Sequence, residues 1–267
     1  MKVYIQFDFE GIAGFVIRDD QDRNIPVNLE RTRRLMKIAT AEVSAAADGA
    51  FAAGADEVVI WDSHGQGNTL LVEELTERAQ LITGDYPRGP WLPFFEGTDV
   101  GMYIGGHAMT GTPGAVTPHT RVTVNGRDYG EVGMFILQCG SRGVPVALIS
   151  GDSAVEREVA DLIGGAEFVV TKEAIGPTLA KCITPARSAR LLGEAARRGV
   201  KRRKRIPPYR LPPPYRFSIP GENGPEKAYH DEGPEFLSAY RRYLKRELGY
   251  TRGWPEYRLT GEHYGVD

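Results

Sequence analysis

The chain has 267 residues, 41% hydrophobic, 25% charged and 9% aromatic, with a formal net charge of -2. Those values are ordinary for a globular protein and allow one large α/β domain or two modest ones, each with a real apolar core. Mild acidity leaves no global field for nucleic acid, the distant Cys139 and Cys182 argue against a disulfide framework, and no apolar run approaches the ~18 residues of a membrane span.

In chain order, Val3 to Phe9 (VYIQFDF) is β-rich and is punctuated by Gly11 and Gly14. Asp8 and Glu10 interrupt this apolar start too early for a signal sequence, so the expected compartment is the cytoplasm. From Asn28 to Gly54 apolar residues recur at helical spacing. Glu57 to Trp61 suits a buried parallel strand and ends in Asp62-Ser63-His64-Gly65. Val72 to Ala79 reads as a helix and Gln80 to Thr83 as a brief strand. Asp99 to Gly105 is a further strand, with Gly106-His107 directly after it. Thr120 to Val124 and Val144 to Ser150 are predicted strands, separated by a helix over Gly130 to Gly140 that opens on Glu131. Val155 to Ile163 reads as helix, Glu167 to Val170 as strand and Pro185 to Gly199 as helix. Such alternation predicts an α/β fold with a largely parallel sheet flanked by helices. At Lys201 the character changes to a basic, proline-rich connector, followed by a short amphipathic helix over Phe236 to Leu248. The expected organisation is therefore a main domain over 1–200 and a smaller C-terminal portion over 201–267, which packs on the main domain or mediates oligomerisation. In a mildly acidic chain the KRRKR cluster reads as a solvated surface segment rather than a nucleic-acid site.

The polar residues fall at strand ends. Asp8 and Glu10, His64 and His107 each follow a different predicted strand, and such ends line one crevice in an open α/β sheet. Asp8 and Glu10 are two apart, a spacing that points both side chains to one face of a strand. Paired carboxylates repel unless protonated or bridged by a cation, and added imidazoles suit zinc or another first-row divalent ion. Glu131 is a candidate additional ligand. Each residue also has a plain structural reading: a solvated edge or cap for the acid pair, a turn residue bonded to Asp62 for His64, and a satisfied core histidine for His107. His119 can be an exposed loop residue, and Glu131 a favourable acid in a helix's first turn. Three of the five histidines nevertheless fall in this architecture, and His107 and His119 bracket a Gly/Pro/Thr-rich loop able to approach a ligand closely. His230 and His263 are assigned no role.

The blocks VYIQFDFEGIAG, WDSHGQGNTL, GGHAMTGTPGAVTPHT and VNGRDYGEVGM resemble, in order and spacing, the D-aminopeptidase family of M55 metallopeptidases. The resemblance covers residues 1 to about 185. It implies a binuclear zinc site held by Asp8, Glu10, His64, His107 and Glu131, with Asp8 as the bridge, and a catalytic role for His119. It also implies a short-peptide substrate that loses an N-terminal D-amino acid such as D-Ala, and a ring-shaped homo-oligomer, a decamer in the family's type member. Two features depart from the family: Ile175-Gly176-Pro177 stands where an Ile-Ser-Arg type sequence is common, and the chain after Lys201 is shorter and unlike it. Competing expectations are an aminopeptidase acting on L-peptides, another metal-dependent amidase or phosphoesterase, and a non-catalytic peptide-binding protein. Phosphate chemistry would call for more Arg or Lys in the motifs, and a pure binder would not need all five ligand positions together with His119.

Overall fold

In the computed structural model the described residues are 1–16, 26–65, 67–84, 92–176, 178–219 and 229–247. Seven strands form the main sheet: β1 (Lys2–Phe7), β2 (Glu57–Asp62), β3 (Gln80–Ile82), β4 (Thr98–Gly106), β7 (Val146–Asp152), β8 (Glu167–Gly176) and β9 (Leu179–Cys182). Their order is β3-β2-β1-β4-β7-β8-β9. Every pairing is parallel except β8 with β9, which is antiparallel. From β1 the chain builds outward through β2 and β3, then returns to β4 on the other side of β1 and builds through β7 and β8. The strand order thus reverses between β1 and β4, where open α/β sheets leave a crevice beyond the strands' carboxyl ends.

Alternation along β1 explains the two cores. Val3, Ile5 and Phe7 pack on one face with α1 (Pro26–Ala52) and α4 (Pro185–Arg202), through Leu35, Ala39, Val43, Leu192 and Ala196. Tyr4 points to the opposite face. There it joins the cluster that includes residues of α2 (Glu131–Ser141) and α3 (Ser153–Val159), represented by Phe135 and Val155. The same cluster takes in α5 (Phe236–Glu247) and a second, four-stranded sheet. In that sheet β5 (Val122–Val124) and β6 (Arg127–Tyr129) form a hairpin extended by β10 (Tyr215–Ile219) and β11 (Tyr229–Gly233). The chain after residue 200 therefore completes a sheet begun near residue 122.

Several expectations need correcting. Val72 to Ala79 holds only a single 3-10 turn, Val72–Glu74. Its next residue groups bond outward instead: the Thr76 amide donates to Ser44 Oγ and its hydroxyl to Asp48. The predicted connector begins later than Lys201, because α4 runs to Arg202 and a 3-10 turn follows over Arg203–Arg205. The hairpin partner β9 and the strands β6, β10 and β11 were not predicted. Cys139 is buried, Cys182 only half so, and both are free thiols. Pro177 and His263 lie outside the described residues, and among those described no helix is long and apolar enough to cross a membrane.

Candidate metal centre

Six side chains singled out in the sequence converge at the β1/β4 reversal. Asp8 and Glu10 follow β1, His64 follows β2, His107 follows β4, and Glu131 opens α2. His119 ends the loop after His107. Its backbone amide donates to the Ala108 carbonyl at 3.2 Å, which brings the loop back to its start. The approach of β1 and β4 demands glycine at Gly105: an added Cβ would lie 2.0 Å from the Asp8 carbonyl, at a φ of +81° that side chains rarely adopt. Gly11 is as tightly placed, its amide donating to the Gly105 carbonyl at 2.7 Å.

His107 Nε2 lies 3.5 Å from Asp8 Oδ2 and 3.4 Å from Glu131 Oε1. His64 Nε2 is 3.3 Å, and His119 Nε2 3.7 Å, from Glu10 Oε1. Among the described residues two candidate ligand groups arise: Asp8 with Glu10 and His64, and His107 with His119 and Glu131, the candidate ligand atoms within each lying no more than 4.8 Å apart. Ligands about 2.0 Å from a tetrahedral zinc are separated by about 3.3 Å, close to the 3.3–3.7 Å approaches of these imidazoles to the acids.

The state of the imidazoles supports the same fit. His107 Nδ1 is 2.9 Å from the Ala108 carbonyl, an acceptor only, so Nδ1 carries the proton and Nε2 faces the acids. Although His107 is 2% exposed, its Nε2 makes no hydrogen bond, and nor does Oε2 of the 2% exposed Glu10. Buried polar atoms without partners are costly, and a cation accounts for both. Burial, then the neighbouring Glu10 charge, push the Asp8 carboxyl well up, because two adjacent acids resist ionising together. Burial would lower the His107 imidazole, but Glu131 and Asp8 outweigh it and push it up to about 10. The plain alternatives are thereby weakened: the acid pair is no solvated edge, and His107 is not a satisfied core histidine. Asp62 is occupied in its own way, accepting from the Thr69 amide and hydroxyl, both at 2.6 Å, and from the Leu70 amide at 3.1 Å.

His119 stacks on His107 with ring centroids 3.6 Å apart and planes 12° apart. Its Nδ1 donates to the Thr117 carbonyl at 2.8 Å, leaving Nε2 directed at Glu10. Thr117 and Thr120 have φ of +46° and +56°, strained values for β-branched residues. The fold holds them there: Val116 N donates to Asp152 at 3.1 Å, Thr110 N to the Thr120 carbonyl at 3.0 Å, and Thr120 Oγ1 to Glu131 Oε1 at 2.8 Å. Glu158 accepts from Met109 N at 3.0 Å and from the Thr112 hydroxyl, fixing the loop's other end.

The profile of the M55 D-aminopeptidases matches residues 1–230, which includes every candidate ligand. The chain belongs to the M55 D-aminopeptidase family. That match runs beyond the stretch near 185 where the sequence resemblance fades, and it takes in β10. This M55 chain is 32% identical to the D-aminopeptidase of Bacillus subtilis (strain 168) over 226 residues, 81% of this chain and 79% of that protein. Its fold is similar to that of the Zn-dependent D-aminopeptidase DppA from Bacillus subtilis, a self-compartmentalizing protease. The TM-score is 0.81 at 26% identity, over 95% of this chain and 99% of that one.

Sequence reasoning missed the groups that hold the candidate ligands in place. Tyr103 is buried with its hydroxyl 3.5 Å from Asp8 Oδ2, yet in sequence it is one aromatic in an apolar strand. Asp152 ends β7 and accepts from the Ala154 and Val155 amides, capping α3 at 2.8 and 2.9 Å. Its strand-end position was visible, its bond to the His119 loop was not. Lys172, in β8, carried no sequence signal beyond a charge within an apolar run.

Proposed function

We propose that this metallo-aminopeptidase holds two zinc ions with Asp8, Glu10, His64, His107 and Glu131, Asp8 bridging, and removes N-terminal D-amino acids such as D-Ala from short peptides. The observation that carries this reading is the convergence of these side chains, with His64 Nε2 3.3 Å from Glu10 and His107 Nε2 3.5 and 3.4 Å from Asp8 and Glu131, around the buried His107 Nε2 and Glu10 Oε2 that make no hydrogen bond. Zinc bound there supplies Lewis acidity toward a peptide carbonyl and toward water. The chain's own part in the reaction falls to His119. With Nδ1 tied to the Thr117 carbonyl, its Nε2 is free to exchange a proton with the leaving amine. D-stereochemistry rests on membership of the family and on the activity of the Bacillus relatives. The self-compartmentalizing relative supports a homo-oligomer, with a decamer expected by family resemblance and a cytoplasmic location in keeping with it. We assign the metal site to residues 1–200 and a role in pocket shape or subunit contacts to residues 201–267.

A second reading for His119 comes from its grouping with His107 and Glu131, which would make it a metal ligand. Metal analysis of the wild type, Asp8→Ala and His119→Ala, with hydrolysis of matched D-Ala and L-Ala dipeptides, tests all of this. About two zinc per wild-type chain are expected, with loss in Asp8→Ala. His119→Ala should keep its metal and lose at least 100-fold in kcat. A chain that binds no divalent metal, or an Asp8→Ala variant that binds it undiminished, would overturn the site. Loss of zinc in His119→Ala would favour the ligand reading, and preference for the L-dipeptide would remove D-specificity.

A further inference from the structure

The loop from Phe9 to Phe15 carries Glu10 and curls around one buried cation. Lys172 is 2% exposed, and its Nζ donates to the carbonyls of Glu10 at 2.5 Å, Ile12 at 2.8 Å and Phe15 at 2.6 Å. An ammonium has three protons, so this collar uses all of them. The amine also lies 5.5 Å from the centre of the Phe15 ring. The hydroxyl of its neighbour Thr171 lies 2.6 Å from the Gly11 carbonyl and 2.9 Å from the Gly151 carbonyl, with its one proton to give between them. On the other side Glu42, from α1, accepts from the Ala13 amide at 3.0 Å.

Desolvating an ammonium is costly, and an apolar side chain would anchor β8 without that cost. What the ammonium adds is direction. The three protons of one ammonium draw three carbonyls to a single point, and their convergence fixes the backbone from which Glu10 projects. Facing acids repel, so a loop left free to relax would move the carboxylates apart. A loop already curled presents them together.

We propose that Lys172 is a positioning residue for the metal site, its three-carbonyl collar preforming the loop that turns Glu10 toward His64 beside Asp8. This rests on the zinc reading above. Groups that orient metal ligands from behind typically change metal affinity 10–100-fold when removed.

The test uses the full-length apo protein, with zinc affinity read by chelator competition and site geometry by the visible spectrum of the cobalt(II) form. Lys172→Met should bind zinc about 10–100-fold more weakly than the wild type and shift the cobalt bands. Leu192→Ala, a core cavity between α1 and α4, lowers thermal stability but should leave zinc affinity and cobalt bands unchanged. Lys172→Arg keeps the charge but cannot aim a planar guanidinium at three converging carbonyls, so it should also weaken zinc binding. That variant decides the matter if Lys172→Met fails to fold. Wild-type affinity and spectrum in either folded Lys172 variant, or an equal loss in Leu192→Ala, would overturn the proposal. Failure of both Lys172 variants to fold with zinc present would overturn it too, since the collar would then serve the fold at large. A wild type that binds no zinc is a different result, which removes the site and not merely the role of Lys172.

Discussion

Glu42 is fully buried on α1, with one carboxylate oxygen engaged by the Ala13 amide. Burial pushes its carboxyl up to about 7, against the pull of Ser188, that amide and Lys172. A carboxyl raised in the folded state binds its proton more tightly there than in the unfolded chain. Its contribution is therefore fully present below pH 4.5 and is lost as the pH rises through 7. At 1.36 kcal/mol per pKa unit the loss is on the order of a few kcal/mol. Urea denaturation across this range should show Glu42→Gln with a flatter pH dependence than the wild type, and parallel curves would contradict it. At Asp8 the cost is burial of a charge, to which the neighbouring Glu10 adds repulsion. Asp8→Asn relieves it, so the metal-free variant should be more stable than metal-free wild type by at least about 1 kcal/mol. The variant should also lose most of the thermal shift on adding zinc. Thermal unfolding with chelator and with zinc measures both effects, and a less stable apo variant would tell against the repulsion.

Helix packing on the sheet depends on close approach. An added Cβ at Gly49 on α1 would lie 2.2 Å from the Gly193 carbonyl on α4, so these helices meet backbone to backbone. Alanine is the better helix former by about 1 kcal/mol, yet the overpacking here should dominate. Gly49→Ala is expected to lose about 1–3 kcal/mol in denaturant unfolding while binding the same amount of zinc. A neutral or stabilising result would mean that α1 and α4 can slide apart freely. At this scale much of the sequence reading agrees with the structure. α1, β2 and β4 are long or strongly patterned, and their burial follows periodicity that neighbours in sequence already show. Val72 to Ala79 misled because acidic and apolar residues mimic a helix where the Thr76 side chain and amide bond elsewhere. β9 escaped notice because its pairing with β8, Lys172 opposite Cys182, is legible only once the hairpin exists.

The second sheet ties the chain's last described residues to its middle. Phe217 in β10 is fully buried, with ring centroids 5.4 Å from Phe236, 5.6 Å from Tyr240 and 5.5 Å from Tyr243. Phe217 also lies opposite Val124 in the register of β10 with β5. Removing that ring should cost about 3–5 kcal/mol. Because β5, β6 and the His119 loop are continuous in the chain, Phe217→Ala should also loosen the metal site. Limited proteolysis would reveal this as faster cleavage between His107 and Glu131, and unaltered proteolysis would separate the C-terminal sheet from the site. By itself the sequence determined the α/β class, the strand ends that carry Asp8, Glu10, His64 and His107, and the family. Each of these is written locally, in apolar periodicity, turn glycines or contiguous blocks. Only the tertiary structure decided that the strand order reverses between β1 and β4, that Lys172 sits beneath Glu10, and that β10 completes the sheet begun by β5. Those contacts join residues about 90 to 160 positions apart, and no local pattern encodes which distant backbone a buried ammonium or an edge strand will meet.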